Sequence, residues 1–322
     1  MSVTAELRFA HLSDWHATTL VGGGRGLLRP KRLSGWASWK FSRRHHHHRA
    51  VLEAAFRDVR SQQVDQILVT GDLTHVSLEQ EFQAAAQQLA ALGTPEEVFL
   101  IPGNHDCYVP IPHANSWDHW AAYLKGTRSE ELDPSLHRCL VAPVEGSQAP
   151  RHEDYPTLRI RGPLAMIGLC SAVPTPIFRA GGWLGEGQLA RLEKLLISLG
   201  EKNFCRVVLI HHPISERDEP SRRALRDADQ LRAVLEGAGA ELVLHGHKHR
   251  RRLMMLNGPD AEIPVVGVPS SSEIGSHPNK QAQYHLYTLR SSGSAGRFRF
   301  DTEIRGFNPL TQAFEHIDEP LL

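Results

Sequence analysis

The chain has 322 residues, 41% of them hydrophobic, which is enough for a sizeable core and longer than the roughly 250–300 residues at which single cores stop growing. Lysine plus arginine and aspartate plus glutamate stand at 36 each, so net charge argues against a general nucleic-acid or membrane partner and leaves room only for a local patch. The four cysteines, Cys107, Cys139, Cys170 and Cys205, form no C-x-x-C pair, which excludes a zinc ribbon or a dithiol redox motif and points to a reducing cytosol. No apolar run reaches the ~20 residues that span a bilayer. The N-terminus enters a strand almost at once, leaving no room for a signal peptide. The expectation is one cytoplasmic α/β domain over residues 1–322, carrying an insertion.

Residues 7–14 read as the first strand, running into Ser13-Asp14-Trp15-His16. The insertion follows, at about residues 17–49. It opens with Gly22, Gly23, Gly24 and Gly26, then sets Leu27, Leu28, Leu33, Trp36, Trp39 and Phe41 among Arg25, Arg29, Lys31, Arg32, Lys40, Arg43, Arg44 and Arg49. No acidic residue occurs between Trp15 and Leu52. His45 to His48 read as an exposed basic face.

Leu52, Ala55, Phe56 and Val59 then recur at helical spacing and lead to the strand Gln66-Ile67-Leu68-Val69-Thr70, which stops at Gly71-Asp72. A second amphipathic helix carries Leu78, Phe82, Ala85, Ala86 and Leu89 and ends at Gly93 and Pro95. Strand 98–101 delivers Asn104 and His105. This rhythm predicts parallel crossovers. Residues 107–156 are less regular, with Trp117, Trp120 and Tyr123 on a short helix and Pro134, Pro143, Pro150 and Pro156 in loops that wall a cleft. Strands resume near 158–161 and 164–170. A helix over 187–199, a strand ending at His211, a polar loop, a helix near 227–236 and a strand ending at His247 follow. Short strands near 253–256, 263–268, 284–289 and 297–304 are expected to complete a second sheet.

Five apolar runs therefore stop at clusters of Asp, Asn and His, and we read them as one site, a cage for two metal ions. A lone Asp at a strand end is usually a turn residue, and a lone Gly-Asn-His usually a loop; the joint pattern carries the reading. Asp14 and His16 alternate on an extended segment and approach one ion together. Asp72 is placed to bridge two ions through its two oxygens, and Asn104, His211, His247 and His249 complete the set. Carboxylate, amide oxygen and imidazole together suit Mn, Fe, Zn, Co or Ni, whereas an all-oxygen set would suggest Mg or Ca. Two such ions polarise a phosphoryl group and generate hydroxide at neutral pH, so no side-chain nucleophile is needed.

Asp14-x-His16, Gly71-Asp72, Gly103-Asn104-His105-Asp106, His211 before x-Pro and Gly246-His247-x-His249 resemble, in order, the full motif set of the calcineurin-like metallophosphoesterases. The resemblance covers residues about 9–250 and implies a four-layer αββα sandwich of two mixed β-sheets flanked by helices. It implies a first metal on Asp14, His16, Asp72 and His249 and a second on Asp72, Asn104, His211 and His247, with manganese favoured. His211 is preferred to His212 because the family's ligand sits two positions before the proline. His105 resembles the family's catalytic histidine, which stabilises or protonates the leaving oxygen, and Asp106 its orienting carboxylate. His11, His75, His212 and His245 flank the motifs as supporting or packing residues. The complete set argues against the family's non-catalytic binding scaffolds.

The insertion bears on substrate. Its ordinary reading is a charged surface hairpin. Its functional reading is a peripheral contact of residues 20–44 with an anionic membrane, Trp and Leu entering the interface and Arg and Lys facing headgroups. The Lys-Arg-Leu-x-Gly-Trp and Trp-Lys-Phe-x-Arg-Arg stretches are similar to a bacterial subgroup related to UDP-2,3-diacylglucosamine pyrophosphatases of lipid A synthesis. That implies a lipid-linked diphosphate. The alternative is a cyclic nucleotide or glycerophosphodiester, as in the class III phosphodiesterases with the same Asn-His-Asp and His-His-Pro motifs.

Overall fold

The computed structural model describes residues 6–41, 45–142, 148–214, 220–275, 278–291 and 298–322. Arg43, Arg44, Pro143 and part of the polar loop after His211 lie outside the described residues. In chain order the elements are β1 (Leu7–Leu12), α1 (Pro30–Phe41), α2 (Arg49–Ser61), β2 (Gln66–Val69), α3 (Glu79–Leu92), β3 (Val98–Leu100), α4 (Ala121–Leu124), α5 (Pro134–His137), β4 (Thr157–Arg161) and β5 (Leu164–Gly168). Then follow α6 (Glu186–Glu201), β6 (Cys205–Leu209), α7 (Ala228–Ala238), β7 (Leu242–His245), β8 (Arg252–Asn257), β9 (Glu262–Gly267), β10 (Gln283–Ser291), β11 (Phe298–Asn308) and β12 (Ala313–Ile317).

Two six-stranded mixed sheets result, ordered β12-β11-β10-β1-β2-β3 and β4-β5-β6-β7-β9-β8. β1, β2 and β3 run parallel, as do β5, β6, β7 and β9. Side-chain alternation on the second sheet assigns its two faces. Leu164, Met166, Val207, Leu209, Leu242 and Leu244 join one core with the first sheet and with Leu52, Phe56, Phe82 and Leu89 of α2 and α3. Ala165, Ile167, Val208, Val243 and Val265 join another with Leu192, Leu196, Leu231 and Leu235 of α6 and α7. The layers are therefore helix, sheet, sheet, helix.

The last strands correct one expectation. β8 and β9 do extend the second sheet, but β10 pairs antiparallel with β1, and β11 and β12 add outward from it. Phe9 of β1 stacks on Tyr287 of β10 with ring centroids 4.9 Å apart, and a T-shaped contact from Phe300 of β11 covers the pair. Alternation marked these runs as strands but says nothing about which sheet accepts them.

The insertion contains a helix, α1, with Pro30 at its first position. Trp39 and Leu20 are buried with Val76 and Leu78 in a small core of their own, with Trp36 and Tyr108 packed against it. Lys31 and Arg32 are buried too. Arg32 donates to the carbonyls of Val76, Gly26 and Ser77, and Lys31 to the carbonyl and hydroxyl of Thr175. Burial pulls the Lys31 ammonium down to about 8. The four cysteines are unpaired thiols. No helix among the described residues is long and apolar enough to cross a membrane.

Candidate metal centre

Every candidate ligand lies just past the carboxyl end of a parallel strand. Asp14 and His16 follow β1, Asp72 follows β2, Asn104 follows β3, His211 follows β6, and His247 and His249 follow β7. Parallel strands of both sheets end on the same side, so their following loops converge on one crevice. The turns are tight. Asp14, His16, Asp72, His247 and His249 all hold positive φ, from 39° to 68°, a conformation non-glycine residues seldom adopt. Neighbouring glycines allow the close approach. A Cβ on Gly103 would collide with the Asp72 carboxylate, and one on Gly246 with Ser13 and Asp14.

All seven candidate ligands meet. Ligand atoms of Asp14, His16 and His249 fall within 4.8 Å of one another, and so do those of Asp72, His211 and His247. Asp72 joins the groups. Its Oδ1 accepts from the His105 amide at 2.7 Å. Its Oδ2 lies 3.6 Å from His16 Nε2 and 3.2 Å from His211 Nε2. Asn104 Oδ1 stands 3.1 Å from His211 Nε2 and 2.8 Å from His247 Nδ1.

Backbone carbonyls decide the tautomers. His16 Nδ1 meets the Thr74 carbonyl at 2.7 Å and His211 Nδ1 that of Thr70 at 2.6 Å, so both Nδ1 atoms carry hydrogen. Their Nε2 atoms then turn lone pairs toward oxygens that are themselves acceptors. Such a contact needs a cation or an extra proton between the two atoms. At His211, the closer of the two at 3.2 Å, a proton serves in the metal-free chain. Burial alone would lower the His211 pKa, but Asp72 outweighs it and pushes the imidazole up to about 9. His249 behaves alike: burial opposes, Asp14 and Glu273 prevail, and the value reaches about 10. Burial holds His16 and His247 well below the ordinary value, in the neutral form that metals bind. The donors present thus fit two borderline divalent ions.

His212 packs against the cage, its ring 4.6 Å from that of His247, but belongs to none of the candidate ligand groups among the described residues. Its Nε2 donates to the Ala180 carbonyl at 3.1 Å, and its Nδ1 accepts from the Ser171 hydroxyl at 2.7 Å. Of the other flanking histidines, His75 stacks on His16 at 5.4 Å and His11 bonds Thr70 Oγ1 at 2.9 Å.

The expected role of Asp106 is corrected. His105 Nδ1 is held by the His75 carbonyl at 2.5 Å. Asp106, fully buried, receives the amides of Asp72, Leu73, Thr74 and Gly103 and the Thr74 hydroxyl, at 2.8–3.1 Å. Its carboxylate fixes the turn that carries Asp72.

Two residues escaped the sequence reading. Glu273 Oε2 lies 3.0 Å from His249 Nδ1, whose Nε2 is 3.3 Å from Asp14. His47, from the histidine run taken as an exposed face, pairs in a bridge with Glu273 and brings its ring to 4.9 Å from His16. The run itself was the signal for His47, but four identical residues hid which one turns inward. Nothing in the sequence marks Glu273.

Comparison with known proteins fits this geometry. The profile of the calcineurin-like phosphoesterases matches residues 7–251. The chain belongs to that family. Its two mixed sheets and flanking helices are a metallophosphoesterase fold. No curated protein sequence matches it. Among solved structures, Haemophilus influenzae NAD nucleotidase (NadN) is 11% identical with a TM-score of 0.51, over 98% of this chain and 60% of that one. That likeness concerns the fold. A 5'-nucleotidase precursor from Thermus thermophilus has a TM-score of 0.47 at 14% identity, over 92% of this chain and 54% of that one. TT1561, from the same organism, has a TM-score of 0.42 at 14% identity, over 92% of this chain and 99% of that one. The chain spans 60% and 54% of the length of the two nucleotidases.

Proposed function

We propose that this phosphoesterase cleaves a phosphodiester or diphosphate, with a lipid-linked nucleotide such as UDP-2,3-diacylglucosamine as the favoured substrate. The reading of the site rests on one observation: imidazole lone pairs face carboxylate and amide oxygens at two points that share Asp72. Asp14, His16, Asp72 and His249 would hold one divalent ion. Asp72, Asn104, His211 and His247 would hold the other, manganese being the first to test. When bound, two such ions supply positive charge to a phosphoryl group and activate water at neutral pH. His105, its Nδ1–H held on the His75 carbonyl, acts as the imidazolium, whose second proton, on Nε2, goes to the leaving oxygen. Asp106 keeps the Asp72 turn in place while this happens.

The lipid part of the reading draws on the insertion. Val21, Leu28 and Phe41 stay 67–79% exposed, and Arg25 and Arg29 of the same insertion are exposed too. Against it, Trp36 and Trp39 pack onto the protein, which favours the second reading, a cyclic nucleotide or glycerophosphodiester. Phosphorus NMR with manganese, UDP-2,3-diacylglucosamine and cyclic AMP separates them. Release of UMP and lipid monophosphate supports the first reading, and release of AMP alone overturns it in favour of the second. Leu28→Asp with Phe41→Asp should reduce sedimentation with anionic liposomes; unchanged sedimentation counts against membrane contact.

A further inference from the structure

The cleft over the candidate metal centre has a volume of about 830 Å³, and its wall is far more basic than the chain as a whole. Arg179, Arg222, Arg223, Lys248, Arg250 and Lys280 line it, against the acidic groups Asp72 and Glu273. A balanced chain that gathers cations at one opening focuses its field there. One phosphodiester carries a single charge, which two divalent ions already meet. The wall implies further negative charge on the ligand.

Three of these arginines sit on a built platform. The Ala180 amide donates to the Arg222 carbonyl at 2.9 Å and the Gly182 amide to that of Ala224 at 3.1 Å, lacing residues 180–182 to 222–225. His212, next to the candidate ligand His211, ties the same loop to the metal side through Ala180. Arg179, Arg222 and Arg223 are exposed and form no ion pair among the described residues.

Phe178 lines the cleft beside them. It is 82% exposed, and its φ is 63°. A bulky residue in the left-handed region is strained, and such strain persists where surrounding structure enforces it. Here it lines the same cleft as the three arginines.

We propose that Phe178, Arg179, Arg222 and Arg223 form a subsite for the nucleoside diphosphate part of the substrate, the arginines holding the phosphate that is not attacked and the phenyl ring stacking on the base. Charge-assisted contacts from arginine suit phosphate, and a phenyl ring suits any planar base. The assignment rests on the reading of the cage as a phosphohydrolase centre, and it narrows the substrate class to nucleotides with two phosphates.

The test is calorimetric titration of the manganese-loaded protein, with equal manganese in cell and syringe, using two uncleavable probes. These are α,β-methylene-UDP and methylenebisphosphonate, which keeps the two phosphorus groups and lacks the nucleoside. Arg222→Ala with Arg223→Ala should weaken both probes about tenfold. Phe178→Ala should weaken α,β-methylene-UDP about tenfold and leave methylenebisphosphonate within twofold of wild type. The subsite is overturned if the double arginine variant binds both probes like wild type, or if Phe178→Ala changes both equally. Wild-type turnover of bis(4-nitrophenyl) phosphate reads the hydrolase centre independently. Turnover with unaltered probe binding in the variants removes the subsite alone. Absent turnover with the expected binding losses removes the reaction alone. All three side chains are exposed, and melting curves confirm that the variants fold.

Discussion

Oδ2 of Asp72 lies 3.2 Å from Nε2 of His211, and both atoms present lone pairs once Nδ1 of His211 has donated to Thr70. A metal ion removes the conflict, and in its absence a proton must. Most of the expected behaviour of the centre follows from that contact.

Asp72→Ala removes the group common to both candidate ion positions, and His247→Ala removes one donor from the second. Either should abolish turnover of bis(4-nitrophenyl) phosphate, with metal content falling in parallel by atomic absorption. His105→Ala acts on proton delivery instead. It should lower kcat by about 100- to 10,000-fold while both ions stay bound. Wild-type activity in the Asp72 variant would sink the assignment.

Asp106→Ala takes one buried acceptor from four backbone amides. Each amide left unpaired costs about 1–3 kcal/mol, so urea unfolding should show a loss of at least about 4 kcal/mol. Asp106→Asn keeps the shape and loses the charge, and should fall between the two. A variant as stable as wild type would show that water replaces the carboxylate.

Glu273→Gln tests the contact with His249. A carboxylate behind a metal-binding imidazole fixes its tautomer and raises its basicity. Removing its charge should weaken binding of the first ion about 10- to 100-fold in a competition titration with a chelator. The second ion should bind as before. Equal loss at both positions would point to a general structural effect.

Metal-free protein should lose stability as pH rises. The folded-state values of His211 and His249, about 9 and about 10, stand above the ordinary 6.5. Stability from a raised pKa is fully present below the unfolded value and disappears as pH climbs through the folded one. The melting temperature of the chelated protein should therefore fall between about pH 6.5 and 10. With manganese bound, these nitrogens are no longer free to titrate, and the fall should be absent. A parallel decline in both forms would place its origin outside the cage.

Much of the centre is legible in the sequence because chemistry and position coincide there. Asp14, Asp72, Asn104, His211 and His247 each end an apolar run, and the runs are strands because their residues fill a two-sided core. The legible part stops where backbone atoms act as partners. Lys31 and Arg32 look like surface charges, yet carbonyls of residues such as Val76 and Thr175 satisfy them, and any residue type supplies a carbonyl. The same blindness hid the His75 carbonyl behind His105, where the family resemblance had implied Asp106. Glu273 was hidden for another reason: it lies beyond β9 in a Ser-rich stretch, and pairing with residues as distant as His47 and Ala282 sets it behind His249.

β1 pairs with β2 on one edge and with β10, close to the far end of the chain, on the other. During synthesis the early parallel strands can assemble soon after they leave the ribosome. The β10 edge of β1 must wait, displaying unpaired amides and carbonyls next to Phe9 until Tyr287 arrives. Contacts this distant slow folding and leave a strand edge open to other chains. Nascent protein should thus be most prone to aggregation in the interval before β10 emerges, when the loops bearing all seven candidate ligands are made and the sheet behind Asp14 is still incomplete.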